Sequence, residues 1–206
     1  LFIGSSAAYR NGTVVQRSGV PNDGKTTFTF HLPEEESFVL RVRKPGWSRN
    51  CTITVNGKTV EAPVEKGYFC LNRTFREGDC VCFAMDMPVR RIYANANVRE
   101  DIGKVAIMRG PMVYCLEEHD NGASLPLLFL PRSAAFKEKA GEGLFENLTL
   151  LMADGLRLQP TGSEELYSET PCTQVVPQKL TFIPYFSWAN RGENEMLVWV
   201  REAPLA

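Results

Sequence analysis

Active-site spacing is what this sequence lacks. Its 206 residues include two histidines, His31 and His119, which stand far apart. No Gly-x-Ser-x-Gly elbow is present, and neither histidine has the setting of a catalytic triad. Glycine-rich phosphate loops are missing. No apolar run approaches the roughly 20 residues that span a bilayer, so no membrane partner is expected. Lys and Arg number 23 against 24 Asp and Glu. With charge so balanced and no basic stripe carrying interleaved aromatics, nucleic acid is not an expected partner either.

Cysteine is scarce as well. Cys51, Cys70, Cys80, Cys82, Cys115 and Cys172 are too few for a disulfide scaffold at this length. Most fall on strand-like apolar positions and read as reduced, buried, structural thiols. Cys80 and Cys82 share a strand face about 7 Å apart, which is not the spacing of a metal knuckle.

What is present has a period of two. Phe28, Phe30 and Leu32 alternate with Thr27, Thr29 and His31; Phe38, Leu40 and Val42 alternate with Val39, Arg41 and Arg43. Cys51, Ile53 and Val55 lead into Asn56-Gly57, the strongest short hairpin signal, because both central residues of a type I′ turn need positive φ. Tyr68 to Arg73 and Cys80 to Met87 form another strand pair. Past Pro88 come a mixed connector to Val98 and strands at Lys104–Met108 and Met112–Leu116. An irregular stretch from Glu117 to Pro177 follows, in which Phe136 to Gly143 reads as a loop, and strands at Lys179–Ile183 and Met196–Arg201 close the chain. The expected fold class is all-β: two antiparallel β-sandwich (jelly-roll-like) domains in tandem, residues 1–90 and 91–206. Leu1-Phe2-Ile3-Gly4 has neither a start methionine nor a signal-peptide pattern and reads as mid-strand, a boundary within a longer polypeptide.

Candidate sites are few. Glu117-Glu118-His119-Asp120 is the densest titratable cluster, but neighbours on a strand point to opposite faces, and the run is expected to be a solvated turn. Glu34-Glu35-Glu36 reads as a charged loop, and Trp47 as a plug at a strand end. Tyr185, Phe186 and Trp188, with Asn190 and Arg191, form the richest aromatic-polar cluster. Flat aromatic faces suit sugar rings, and Asn and Arg supply hydrogen bonds to hydroxyls; the same side chains also suit an interdomain seam. Sequons at Asn11, Asn50, Asn72 and Asn147 carry no weight, since Thr-rich strands generate them by chance.

Several stretches, taken in order, carry a resemblance: Leu40-Arg41-Val42-Arg43-Lys44-Pro45-Gly46-Trp47, Val55-Asn56-Gly57, Gly67-Tyr68 with Arg73, and Gly78-Asp79. Val105-Ala106-Ile107-Met108-Arg109-Gly110-Pro111-Met112-Val113-Tyr114-Cys115-Leu116-Glu117 and Ile183-Pro184-Tyr185-Phe186-Ser187-Trp188-Ala189-Asn190-Arg191-Gly192 complete the set. Together they resemble the C-terminal part of glycoside hydrolase family 127, the β-L-arabinofuranosidase-like enzymes. The resemblance implies an N-terminal (α/α)6 catalytic barrel followed by two β-sandwich domains. It also implies a zinc-held cysteine nucleophile and a glutamate acid/base, both in the barrel, with zinc ligands from adjacent cysteines and a Glu-x-Cys element. This chain has no Cys-Cys pair and no Glu-x-Cys, so no catalytic or metal residue carries over and no cofactor is expected in it.

The expected role is that of a non-catalytic accessory region packed on that barrel. The resemblance implies a parent that releases L-arabinofuranose or a related sugar from plant-derived glycans or glycoproteins. A second copy of the chain and a carbohydrate are further candidate partners, and a carbohydrate-binding module is the alternative reading. The compartment stays open, with export or the periplasm favoured over the cytoplasm because many degraders of this kind are exported.

Overall fold

A computed structural model describes residues 3–162 and 165–203. Contacts divide the chain between Pro88 and Val89 into two compact units.

Among its described residues the first unit contains nine strands: β1 (Ser5–Tyr9), β2 (Gly12–Ser18), β3 (Lys25–His31), β4 (Glu36–Arg43), β5 (Cys51–Val55), β6 (Lys58–Val60), β7 (Val64–Glu65), β8 (Tyr68–Phe75) and β9 (Cys80–Met85). They form a six-stranded sheet, β1-β2-β3-β9-β5-β6, and a three-stranded sheet, β4-β8-β7. The alternation read in the sequence decides which side chains meet between them. Phe28, Phe30, Ile53, Val55, Val81 and Phe83 from the larger sheet share one core with Val42, Phe69, Leu71 and Phe75 from the smaller. Phe75 sits between Phe30 and Phe38, with ring centroids 4.5 and 4.4 Å away. The Asn56-Gly57 hairpin joins β5 to β6, with both residues at positive φ (50° and 78°) as the turn requires. The strand expected at Leu1–Gly4 lies partly outside the described residues; Ile3 and Gly4 precede β1 without joining it.

The second unit contains β10 (Val89–Ile92), β11 (Lys104–Arg109), β12 (Met112–Glu117), a single helical turn α1 (Glu118–Asn121), β13 (Leu128–Pro131), β14 (Phe136–Ala140), β15 (Thr149–Pro160), β16 (Thr173–Pro184), β17 (Met196–Leu197) and β18 (Val200–Ala203). Six of these strands close on themselves: β11-β18-β13-β15-β16-β12, with β12 returning to β11. β13 and β18 run parallel, and the other pairs of the ring are antiparallel. Val105, Ile107, Tyr114, Leu116, Leu151 and Phe182 are among the side chains that fill its interior, all without exposed surface.

The all-β expectation holds, whereas the two-sandwich, jelly-roll-like expectation does not hold for the second unit. Alternating strands face inward in the same way whether two sheets pack face to face or one sheet closes into a barrel. Pattern alone does not separate the two. Phe136–Ala140, expected as a loop, is a strand on β15. The two longest strands also depart from expectation: β15 lies wholly in the stretch expected to be irregular, and β16 begins at Thr173, ahead of its expected start at Lys179. In β15, Gly155 breaks the alternation because a Cβ there would lie 2.4 Å from Leu180 Cδ1 and 2.9 Å from the Phe129 carbonyl oxygen. In β16, Pro177 pairs with Leu156 at a point β12 does not reach, since β12 pairs with β16 only from Phe182 onward. Proline is tolerated at such an open edge.

Candidate functional site

The two long motifs of the sequence meet in the second unit. β12 pairs with the end of β16 through Tyr114–Pro184, Cys115–Ile183 and Leu116–Phe182. Tyr114, Leu116 and Phe182 point into the barrel, and Cys115 and Ile183 therefore point outward, where they join Phe145 and Leu150 in a second small core. The aromatic-polar cluster lies just beyond these strand ends. Tyr185–Ser187 form a single 3-10 turn directly after β16. The Ser187 hydroxyl donates to the Pro184 carbonyl at 2.6 Å, the Trp188 N–H to the Tyr185 carbonyl at 3.2 Å, and Asn190 Nδ2 to the Ser187 carbonyl at 3.1 Å. Asn190 is thus used to close its own loop.

Glu117, at the end of β12, anchors the loop from beneath. Its side chain has no exposed surface. One carboxylate oxygen accepts the Ala189 N–H at 2.6 Å, which holds Ala189 in the left-handed region at φ 61°. The other carboxylate oxygen accepts a hydrogen bond from Arg191 Nη2. Arg191 also donates through both terminal nitrogens to Asp120 and lies over the Phe145 ring, 4.8 Å from its centroid. The Asp120 hydrogen bond raises the Arg191 pKa further above its usual range; desolvation opposes this, and Glu117 adds to the rise. Asn121 is the remaining support. Its amide donates to the carbonyls of Glu117 (2.9 Å) and Thr181 (3.0 Å) and accepts the Thr181 N–H (2.9 Å).

These facts correct the expected solvated turn at Glu117-Glu118-His119-Asp120. His119 is exposed, but Glu117 is fully buried, and α1 brings Glu117 and Asp120 to the same guanidinium. The alternation argument stops applying where the strand ends, because residues three apart share a side once the chain turns helically. The sequence held one signal of this pairing: opposite charges, Glu117 and Arg191, stand near the ends of the two motifs. Phe145 and Asn121 carried no such signal.

The loop presents its aromatics outward. Tyr185 is 43%, Phe186 61% and Trp188 39% exposed. All five residues singled out in the sequence, Tyr185, Phe186, Trp188, Asn190 and Arg191, therefore occupy one turn, with Arg191 fastening it and the rings facing away. Trp47 is half-buried in the first unit.

Nucleophile and metal chemistry fit these residues poorly. Burial pushes the Cys115 thiol up to about 12, with the Glu117 charge adding to it, and burial lifts Cys51 to about 11. The thiolate is the reactive form, so both are inert at neutral pH. Of the six free cysteines, Cys70 and Cys115 are buried, Cys51, Cys80 and Cys82 are half-buried, and Cys172 is exposed, contrary to the expectation of buried thiols there. Among the described residues no group of three or more His, Cys, Asp or Glu side chains is placed to hold a metal ion. They do not fit the cysteine–zinc centre that the resemblance implies. Among the same residues no helix is long and apolar enough to cross a membrane.

Known proteins resemble the chain over nearly its full length. It is 35% identical over 97% of its residues to a non-reducing end beta-L-arabinofuranosidase of Bifidobacterium longum subsp. longum, of which it covers 32%. A solved GH127 beta-L-arabinofuranosidase from Geobacillus stearothermophilus T6 superposes with a TM-score of 0.88 at 36% identity, over 98% of this chain and 33% of that one. A second solved GH127 beta-arabinofuranosidase gives a TM-score of 0.85 at 28% identity, over 98% of this chain and 34% of that one. The chain thus spans about a third of the length of the relatives it matches. Residues 1–87 match the Beta-L-arabinofuranosidase, GH127 middle domain, and residues 89–201 match the Glycoside hydrolase family 127 C-terminal domain; the chain belongs to glycoside hydrolase family 127.

Proposed function

We propose that the chain is the non-catalytic accessory region of a β-L-arabinofuranosidase-type glycoside hydrolase, packed against a catalytic (α/α)6 barrel that carries the zinc–cysteine chemistry. The observation that carries this reading is the Tyr185–Arg191 turn. Three aromatic side chains are held outward on a backbone fixed by a buried ion pair. Exposed aromatics on a rigid mount are what a docking surface needs, because little ordering entropy remains to be lost on contact.

The same exposed rings favour a second reading, a carbohydrate-binding surface, since they offer stacking faces for sugars. Calorimetric titration of the 206-residue chain with arabinose-type oligosaccharides separates the two. The accessory reading expects no hydrolysis and no saturable heat, while Trp188→Ala in the longer enzyme lowers its stability and activity together. Saturable binding at millimolar affinity or tighter, lost in Trp188→Ala, replaces it with the binding module. Light scattering on the same samples tests the third arrangement, a dimer of the chain, through the dependence of mass on concentration.

A further inference from the structure

We propose that the outer face of the six-stranded sheet in the first unit is the seat of the domain that precedes the middle domain in family 127 relatives. This rests on the accessory reading and adds to it a surface and an occupant. The inner positions of β3, β5 and β9 (Phe28, Phe30, Ile53, Val55, Val81, Phe83) face the core, so the alternate positions face the other way. Strand register sets them in rows: Thr27, Cys82 and Thr54 lie side by side across three strands, and Val15, Thr29 and Cys80 form the row beside them. The face is built of hydroxyls, methyls and thiols, and the two rows carry no carboxylate and no aromatic ring. Arg17 pairs with Thr27 at one end, and Lys25 flanks the next row. The other sheet of this unit differs: it exposes Arg41 and Arg43 toward the C-terminal end of β4.

Three observations select the occupant. Residues 1–87 match a middle domain and residues 89–201 the C-terminal one, so the part of the relatives left unaccounted for includes a domain before the middle one. That unaccounted part is large, because the chain covers 32% of the curated relative. The face itself has a neutral centre rimmed by Arg17 and Lys25, with the Asp23 carboxylate beside Lys25, which fits a partner surface of uncharged side chains with charges of both signs at its edge. A face without aromatic rings lacks the stacking surfaces that suit a sugar.

The test is residue-resolved alkylation by iodoacetamide, followed by mass spectrometry. It compares the 206-residue chain with a longer polypeptide that also carries the preceding domain. Cys80 and Cys82 are expected to react in the short chain, Cys82 the more slowly because burial raises its thiol pKa, and both to react at least about tenfold more slowly in the longer one, since alkylation needs an accessible thiolate. Cys172, which is exposed, and Cys115, which has no exposed surface, calibrate the short chain. Equal rates for Cys80 and Cys82 in the two polypeptides overturn the proposal. Protection that grows with the concentration of the short chain overturns it too, by showing a second copy on the face. Limited proteolysis between the domains separates this failure from that of the accessory reading. A cleavage-resistant domain pair with reactive Cys80 and Cys82 removes the assigned face alone, whereas domains that cleave apart freely remove the accessory reading with it.

Discussion

The two units fasten their loops by different chemistry. In the first, carboxylates mainly accept hydrogen bonds from nearby backbone and polar groups. Asp79 takes Asn56 Nδ2 at 2.7 Å and the Arg76 N–H at 3.0 Å. Asp86 takes the Ser48 hydroxyl at 2.7 Å and the backbone N–H groups of Arg49 and Asn50 at 2.8 and 3.1 Å. In the second, arginines span the gaps. Arg191 joins Glu117 and Asp120, while Glu202 receives Arg91 at 3.1 Å and Arg132 at 2.7 Å. Arg157 reaches the carbonyls of Asn121 and Ala123 at 2.7 and 2.8 Å. The difference follows from topology. The paired ends of β5 and β9 keep donors within reach of a small Asp at each end, whereas the long connections around a closed ring need a side chain long enough to tie distant segments. A guanidinium also supplies several donors in a fixed plane.

The comparison is broken most sharply by a matched pair of substitutions. Arg191→Ala leaves the buried Glu117 without its ion partner and is expected to cost about 3–5 kcal/mol. Phe30→Ala removes a fully buried ring from the other core and is expected to cost a similar amount, about 3–5 kcal/mol. Urea unfolding followed by hydrogen exchange in each unit should show each loss confined to its own unit. A loss shared by both units would mean that they are not independent cores.

Asn121→Ala comes next. It strips partners from the Thr181 amide and from two carbonyls at once, and the expected loss is about 1–3 kcal/mol. Asn121→Asp keeps the acceptor for the Thr181 N–H but turns a buried carboxylate oxygen toward two carbonyls, so a urea midpoint no higher than that of Asn121→Ala at neutral pH is the outcome that supports this assignment.

Acid gives the smallest and finest distinction. Burial pushes Asp79 up, but the hydrogen bonds from Asn56 and the Arg76 N–H, with Arg73 and Arg76 nearby, outweigh it and leave the carboxyl below its usual range. Asp86 behaves alike: burial raises it, and Ser48, Asn50 and Arg49 together bring it lower. A carboxyl depressed on folding contributes stability that is complete above its unfolded pKa, about 4 for Asp, and that fades as pH falls through the folded value. Asp79→Asn should therefore flatten the loss of first-unit stability below about pH 4 and leave the second-unit response unchanged. Thermal melts across that range, read on both units, check it; an unaltered acid slope in the first unit would remove Asp79 from the account.

Most of the first unit was legible in the sequence because its signals are local. Phe28 and Phe30 alternate with threonines, and Asn56-Gly57 names its own turn, so β3, β5 and β6 follow from neighbouring residues. The second unit was legible in its strands but not in its closure. Nothing near Val200 announces a parallel partner at β13, and Gly155 and Pro177 hide two long strands by interrupting their pattern for reasons of close approach and open edge. The candidate turn was half visible. Its five residues were readable as a cluster, but the anchor beneath them, Glu117 with Asp120, was masked by an alternation rule that fails one residue after the strand stops.

The parallel pairing of β13 with β18 also imposes an order of events on synthesis. Every strand of the first unit has been made once Met85 is in the chain, so that unit can fold while translation continues. The ring of the second unit stays open until Val200–Ala203 has left the ribosome, because β18 is the piece that joins β11 to β13. A growing chain whose Val200–Ala203 is still inside the ribosome should therefore carry a protease-resistant first unit and a digestible second one.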